Sequence, residues 1–176
     1  MKILVLNGSP HVNGATADMV SAFRKGAEEA GNEVIVIQAA HKNIRGCLAC
    51  EYCHEKEKGV CIQKDDMQAV YPEILSADMV VFASPIYYFT FSAQLQALIH
   101  RTYAIGVPEN VKKTALIMSS GDKFVYAAAI TEYFQGIVEY WGVENTGIFT
   151  ANGDENKSEK KRQELYRFGR SLQEEK

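Results

Sequence analysis

Long apolar runs are missing from this sequence. No stretch approaches the roughly 18 consecutive apolar residues that a membrane-spanning helix requires. Met1-Lys2-Ile3-Leu4-Val5-Leu6-Asn7 is too brief for the apolar region of a secretory signal. Positive charge is not in excess either. With 19 Lys and Arg against 22 Asp and Glu, the formal net charge is −3, without the clustered basic face of a nucleic-acid-binding surface. Repeats, low-complexity tracts and linker-like stretches are absent as well. These absences lead to the expectation of a cytoplasmic protein that binds neither nucleic acid nor membrane. Its 176 residues, 47% apolar and 23% charged, suffice for a single domain, 1–176, with a full hydrophobic core.

Cysteine is sparse, and all four lie between positions 47 and 61. A secreted disulfide framework spreads its cysteines to staple distant segments. Clustering in a cytosolic-looking chain favours metal, iron–sulfur or redox chemistry instead.

Apolar periodicity supplies the elements. Strands are expected at Lys2 to Asn7, Glu33 to Ile37, Asp78 to Ser84, Lys113 to Ser119 and Val143 to Phe149. Between them, apolar residues recur at helical spacing from Ala15 to Ala30, from Asp65-Asp66 through Leu75, from Ala93 to Tyr103 and from Tyr126 to Trp141. A charged helix over 155–173 closes the chain, and the stretch at about 39–63, which shows no period, is a cysteine-rich insertion. Strands that alternate with helices five times predict a doubly wound, five-stranded parallel sheet with helices on both faces. Ligands on such sheets bind beyond the strand C-termini, near the switch point of the strand order.

Three loops follow strand ends and have unusual composition. Gly8 to Thr16 holds small or polar side chains around two glycines and contains no Lys or Arg. Backbone N–H groups, the Ser9 and Thr16 hydroxyls and a helix N-terminus could hold a phosphate there; an ordinary turn capped by Asn13 or Thr16 would look the same. The loop has neither the G-K-[ST] of a Walker A motif nor G-x-G-x-x-G. Ser84 to Phe91 carries four aromatics in five positions, Tyr87, Tyr88, Phe89 and Phe91. A planar ligand or a subunit contact would account for Tyr87 and Tyr88, whereas Phe91 reads as packing under the next helix. In the third loop, Ser119 to Phe124, Gly121 permits close backbone approach.

Residues 3–16, I-L-V-L-N-G-S-P-H-V-N-G-A-T, resemble the flavin phosphate loop of the NADPH-dependent FMN reductase and iron–sulfur flavoprotein families. Ser84-Pro85-Ile86-Tyr87-Tyr88 resembles their isoalloxazine loop, and Ser92 to Arg101 the helix after it. Cys47 to Met67 resembles their C-x-x-C…C-x-x-x-D-D-M segment. The sequence departs from the pattern at His11, at His100 and at Ala15, where Arg or Lys, Asp, and Asn or Ser are common. The resemblance implies a flavodoxin-like fold with strand order 2-1-3-4-5 and FMN bound across two subunits of a homodimer or homotetramer. It places the phosphate near Ser9, His11, Asn13, Gly14, Ala15 and Thr16, and the ring against Pro85, Ile86, Tyr87 and Tyr88 with Gly121 nearby. NAD(P)H would be the co-substrate and a quinone, flavin or nitroaromatic the small electron acceptor. The flavin does the chemistry, so no side chain is assigned a catalytic role. A non-enzymatic electron carrier between protein partners and a flavin-free flavodoxin-like signalling domain are the competing readings.

Cys47, Cys50, Cys53 and Cys61 form C-x2-C-x2-C-x7-C. Four thiolates at this spacing suit a [4Fe–4S] cluster or a zinc ion, and a metal-free region is the third choice. His41 and His54 read as exposed loop residues and Asp65-Asp66 as helix-start charge. Trp141 reads as core, and the basic residues of Lys157 to Arg170 as a solvated face.

Overall fold

The computed structural model describes residues 1–172. Five strands lie parallel: β1 (Lys2–Asn7), β2 (Glu33–Gln38), β3 (Met79–Tyr87), β5 (Lys113–Ser120) and β6 (Glu144–Asn152). A two-residue strand, β4 (Thr90–Phe91), turns back antiparallel on the end of β3. The order is β2-β1-β3-β5-β6. With β4 set aside this is the expected flavodoxin-like 2-1-3-4-5, and the order reverses between β1 and β3.

The strands alternate between two apolar layers. Ile3 and Val5 face α1 (Ala15–Glu29) and α6 (Glu159–Ser171), while Leu4 and Leu6 face α3 (Met67–Ser76), α4 (Ala93–Arg101) and α5 (Ala127–Tyr133). Strands buried on both sides need apolar residues at nearly every position, which is why β1, β3 and β5 read as continuous apolar runs. On the first face α1 and α6 approach closely. A methyl group at Gly26 would overlap the Tyr166 carbonyl, and one at Gly169 the Phe23 carbonyl. Phe23 and Phe168 stack beside this seam with ring centroids 5.4 Å apart.

Strand β6, expected to end at Phe149, runs on to Asn152, and three further elements depart from expectation. Strand β3 continues past Ser84 through Pro85 and Ile86 to Tyr87. Proline is tolerated because of where β1 stops. The last β1–β3 pair is Asn7 with Ala83, whose carbonyl accepts from Gly8 N. Strand alternation turns Pro85 to that same side, beyond the end of β1, so no ladder bond is lost. The helix expected from Tyr126 to Trp141 does run as one rod from Ala127 to Trp141, but Phe134–Glu139 is π-helical. The closing helix starts at Glu159 because Ser158 caps it, its hydroxyl accepting from Lys161 N, after a separate turn at Gly153–Glu155. Gln173, the expected end of that helix, lies outside the described residues. The cysteine-bearing stretch holds one short helix, α2 (Tyr52–Glu55).

Candidate functional site

The three loops meet at the C-terminal edge of the sheet around a cleft of about 340 Å³. Ser9, His11, Gly14, Ala15 and Thr16 form one wall, Pro85, Ile86 and Tyr87 a second, and Gly121 with Ser119, Ser120 and Asn156 a third. The structure therefore brings nine of the eleven expected flavin-site residues to one place. Asn13 instead faces a neighbouring surface depression beside Asp18 and Lys157. Tyr88 points into solvent with 95% of its surface exposed.

The walls are fixed to one another by hydroxyls. Ser92 Oγ donates to the Gly8 carbonyl at 2.7 Å, and Ser92 N donates to Ser84 Oγ at 2.9 Å. This joins the first loop to the second. Gly8 must be glycine here, since a methyl group would overlap Ser92 Oγ. Thr16 Oγ1 and Ser119 Oγ share a 2.7 Å hydrogen bond, which joins the first loop to the third. The Ser120 hydroxyl donates to Tyr126 Oη at 2.7 Å, and Tyr126 donates onward to the Ala151 carbonyl at 2.7 Å. Burial pushes the Tyr126 phenol above its ordinary value, so it stays a neutral donor.

Two observations suit a phosphorylated ligand. Helix α1 has no side chain capping its N-terminus at Gly14, so its first amides and positive dipole end are left for an anion. Asp18 in its first turn is drawn away to Arg162, at 3.2 Å. On the third wall Asn156 donates to the Ser120 carbonyl at 2.8 Å, while its buried Oδ1 has no partner and, as an acceptor, suits a hydroxyl of the ligand rather than its phosphate. The residues present thus fit FMN. Ser84, Ser92, Ser119, Ser120 and Asn156 were not anticipated as site residues. Of these, Ser84, Ser119 and Ser120 lie in the loops singled out by composition, and nothing local marks Asn156.

The aromatic turn is strained. Tyr88 and Phe89 both adopt left-handed backbone, with φ of 51° and 71°, where Asn-Gly is the usual choice. Phe91, by contrast, is buried in the core as expected.

The cysteines lie together in a second place. The first sheet edge strand, β2, delivers the chain to the same edge as the flavin loops, because it runs parallel to β1. Left-handed backbone at Ala49 and Glu51, φ 50° and 57°, curls the C-x2-C-x2-C run back on itself. Cys47, Cys50, Cys53 and Cys61 then line one small cavity of about 20 Å³. That is room for about one water. A larger group enters only if the exposed stretch with Cys47 and Cys50 opens. All four are free thiols, Cys53 buried, and burial pushes the Cys53 thiol up. Among the described residues, no three His, Cys, Asp or Glu side chains are grouped to hold a metal ion. The donor set itself is right for a four-thiolate group.

Beside this cavity lies a buried ion pair: Asp65 accepts from Met67 N at the start of α3, as a helix-start charge does, and it also pairs with a buried arginine. Arg101 Nη1 donates to Asp65 Oδ2 at 2.6 Å and Nη2 to Oδ1 at 3.2 Å, and both side chains are 1% exposed. Burial alone would raise the Asp65 carboxyl, but hydrogen bonds from Arg101 and from the amides of Arg45 and Met67 hold it below its usual range. Asp66 accepts from Asn43 N at 2.7 Å. His54 is exposed as expected, but it sits on α2 rather than in a loop, and its ring packs edge-on against Tyr103 with centroids 4.5 Å apart. Trp141 is core as expected.

Residues 1–143 match the model of the NADPH-dependent FMN reductase family. The chain belongs to that family. By family this FMN reductase relative is an oxidoreductase. It is 30% identical over 158 residues to an iron-sulfur flavoprotein of Archaeoglobus fulgidus, covering 87% of this chain and 69% of that protein. It is 38% identical over 105 residues to iron-sulfur flavoprotein MJ0731 of Methanocaldococcus jannaschii, covering 60% of this chain and 52% of that one. Against several such relatives the chain thus spans only about half their length. A solved NAD(P)H:quinone oxidoreductase from Methanothermobacter marburgensis shares the fold, with a TM-score of 0.75 and 20% identity over 100% of this chain and 98% of that one. No helix among the described residues is long and apolar enough to cross a membrane.

Proposed function

We propose that the FMN reductase relative binds FMN in the three-walled cleft and oxidises NAD(P)H to reduce a small acceptor of the quinone, flavin or nitroaromatic class. The observation that carries this reading is the uncapped N-terminus of α1, which opens onto a cleft walled by Ser9, Thr16, Tyr87 and Gly121. When bound, FMN supplies the redox chemistry, accepting a hydride from NAD(P)H and giving two electrons to the acceptor.

The chain's own residues position and shield it. The α1 amides with Ser9 and Thr16 hold the phosphate, so no lysine or arginine is needed in the loop. Pro85, Ile86 and Tyr87 would offer an apolar wall for the ring, with the main chain around Gly121 in the third wall of the same cleft. Tyr88 and Phe89 have no role inside the cleft. Their exposure, and the ~1–3 kcal/mol that each strained residue costs, support the reading that a second copy of the chain covers this turn in a homodimer or homotetramer. The free thiols suit a reducing compartment such as the cytoplasm.

We further propose that the four cysteines hold a [4Fe–4S] cluster that relays electrons. The shared cavity and the iron-sulfur flavoproteins among the relatives support it. The same observations favour a second reading, an electron carrier between protein partners with little turnover of small molecules. A visible spectrum of strictly anaerobic protein reports flavin and cluster together. NAD(P)H oxidation with and without a quinone then separates enzyme from carrier. Replacing Ser9 and Thr16 together by bulky residues should abolish flavin retention, and unchanged flavin content would sink the site assignment.

A further inference from the structure

A groove of about 510 Å³ opens between the end of α4 and the end of the rod that α5 begins, and none of its residues belongs to the flavin cleft. Ile99, Tyr103, Ile137, Tyr140 and Trp141 give it a largely apolar lining, together with Gly136. Tyr103 is held in place there, its Oη donating to Glu51 Oε2 at 3.0 Å. Pockets that take drug-sized molecules span ~300–1,000 Å³, so this groove has room for aromatic side chains.

Nothing inside the chain calls for glycine at 136. A helical glycine costs ~1 kcal/mol against alanine. Its backbone is not left-handed, and a methyl group added there would meet no atom within 4 Å. It sits in the π-helical stretch Phe134–Glu139, and π-turns inside helices concentrate at functional sites. An object that approaches the groove from outside the chain accounts for both features.

The turn at Tyr88 and Phe89 is the converse. Its backbone is left-handed at both residues, its rings stand out from the surface, and neither residue lines the flavin cleft or the groove. The turn ends in β4, which packs on α5 and leads directly into α4. The groove lies at the other end of the same two helices, ~13 Å further along α4 at 1.5 Å per residue. Projection and groove therefore belong to one face of the molecule.

We infer that this face pairs with a second copy about a two-fold axis, the Tyr88–Phe89 turn of each copy seated in the groove of the other beside Gly136. The inference rests on the homo-oligomer reading above and names the surface that receives the turn. Two-fold pairing needs both features on one side of the chain, because each copy gives and receives the same contact. In the single chain Tyr88, Phe89, Tyr103 and Tyr140 have between 45% and 95% of their surface exposed. At ~200 Å² per aromatic side chain, covering them in both copies removes on the order of 1,000 Å² from water, which is what a specific interface requires. Aromatic side chains seated in pockets dominate such interfaces, and this contact offsets the strain of the turn and the cost of the helical glycine.

Gly136→Phe fills the groove from within, and the double variant Tyr88→Ser with Phe89→Ser removes the projection. Wild type, each variant and an equimolar mixture of the two are sedimented with FMN across micromolar concentrations, with circular dichroism as the check on folding. Each variant alone should dissociate roughly tenfold or more readily than wild type. The mixture should associate more tightly than either variant alone, because the intact turn of one chain meets the open groove of the other. General damage to the fold would not give that recovery. If Gly136→Phe does not fold, Tyr140→Lys at the exposed side of the groove takes its place.

A groove variant that dimerises as tightly as wild type overturns the inference and leaves the oligomer reading intact, and so does a mixture no tighter than its parts. Something other than a second copy then fills the groove. A wild type that stays monomeric overturns the oligomer reading and this inference with it.

Discussion

Thr16 and Ser119 share a buried hydroxyl–hydroxyl hydrogen bond of 2.7 Å, although 103 positions separate them. The bond fixes the first turn of α1 against the end of β5, so the helix end that faces the cleft and the wall opposite it move as one body. Thr16→Val keeps the shape and removes the hydroxyl, leaving Ser119 Oγ buried without this partner. The expected loss is ~1–2 kcal/mol of apoprotein stability, read by urea unfolding, together with weaker FMN retention on dilution. Thr16→Ser should restore both. Flavin retention unchanged in Thr16→Val would show that this hydroxyl serves the fold alone.

Asp65 makes stability depend on pH in a defined direction. Its folded-state carboxyl lies below the ordinary value, which is ~3.9 in an unfolded chain. The stabilisation is therefore complete above about pH 4 and disappears as pH falls through the folded value. Asp65→Asn should destabilise the protein by on the order of 3 kcal/mol at pH 7, because Arg101 is left buried without its counter-charge. The gap between the two proteins should narrow below about pH 4. A gap that stays constant down to pH 3 would mean that the pair adds no pH-dependent stability.

Gly26 and Gly169 should each resist enlargement. An alanine at either position meets backbone carbonyl rather than a movable side chain. Gly26→Ala should cost ~1–3 kcal/mol through forced separation of α1 and α6. Flavin bound per folded chain should hardly change, because the cleft lies at the other end of α1. Thermal unfolding and flavin absorbance on the same sample test both halves.

Tyr88 and Phe89 invite the opposite change. Replacing the pair by Asn-Gly gives the turn the residues it favours, and the isolated chain should gain on the order of 1 kcal/mol. Self-association should weaken at the same time if these rings meet a second copy. Sedimentation across micromolar concentrations is the measurement. An oligomer that persists undiminished would place the subunit contact elsewhere.

Much of the fold was legible because burial on both sides leaves a plain mark. Ile3 to Leu6 and Met79 to Ala83 are continuous apolar runs, and strand order followed from the family resemblance. The end of β3 was not legible at Pro85. Whether proline breaks that strand depends on where β1 stops, and no local pattern carries this. The π-helical turns at Phe134–Glu139 were hidden for a similar reason, since the apolar pattern still reads as one helix. At the site, the small residues from Ser9 to Thr16 and Gly121 stood out by composition. The hydroxyl ties of Ser84, Ser92 and Ser119 did not, because each acts only through a partner on another loop. Asp65 looked like a helix-start charge, and its partner Arg101 lies 36 positions away.

The seam between α1 and α6 has a consequence for the growing chain. Tyr166 and Glu29, which meet across it, are 137 positions apart. At translation rates of ~5–20 residues per second, roughly 7 to 27 seconds pass between the emergence of one and of the other. Through that interval the α1 flank around Phe23 has no Phe168 to stack on, and the two glycines have nothing to close against. Contacts this distant in sequence also form slowly. The period in which this domain is most open to aggregation or proteolysis is therefore set by synthesis itself. A chaperone that shields α1 early should raise the yield of soluble protein more than one that acts on the finished chain.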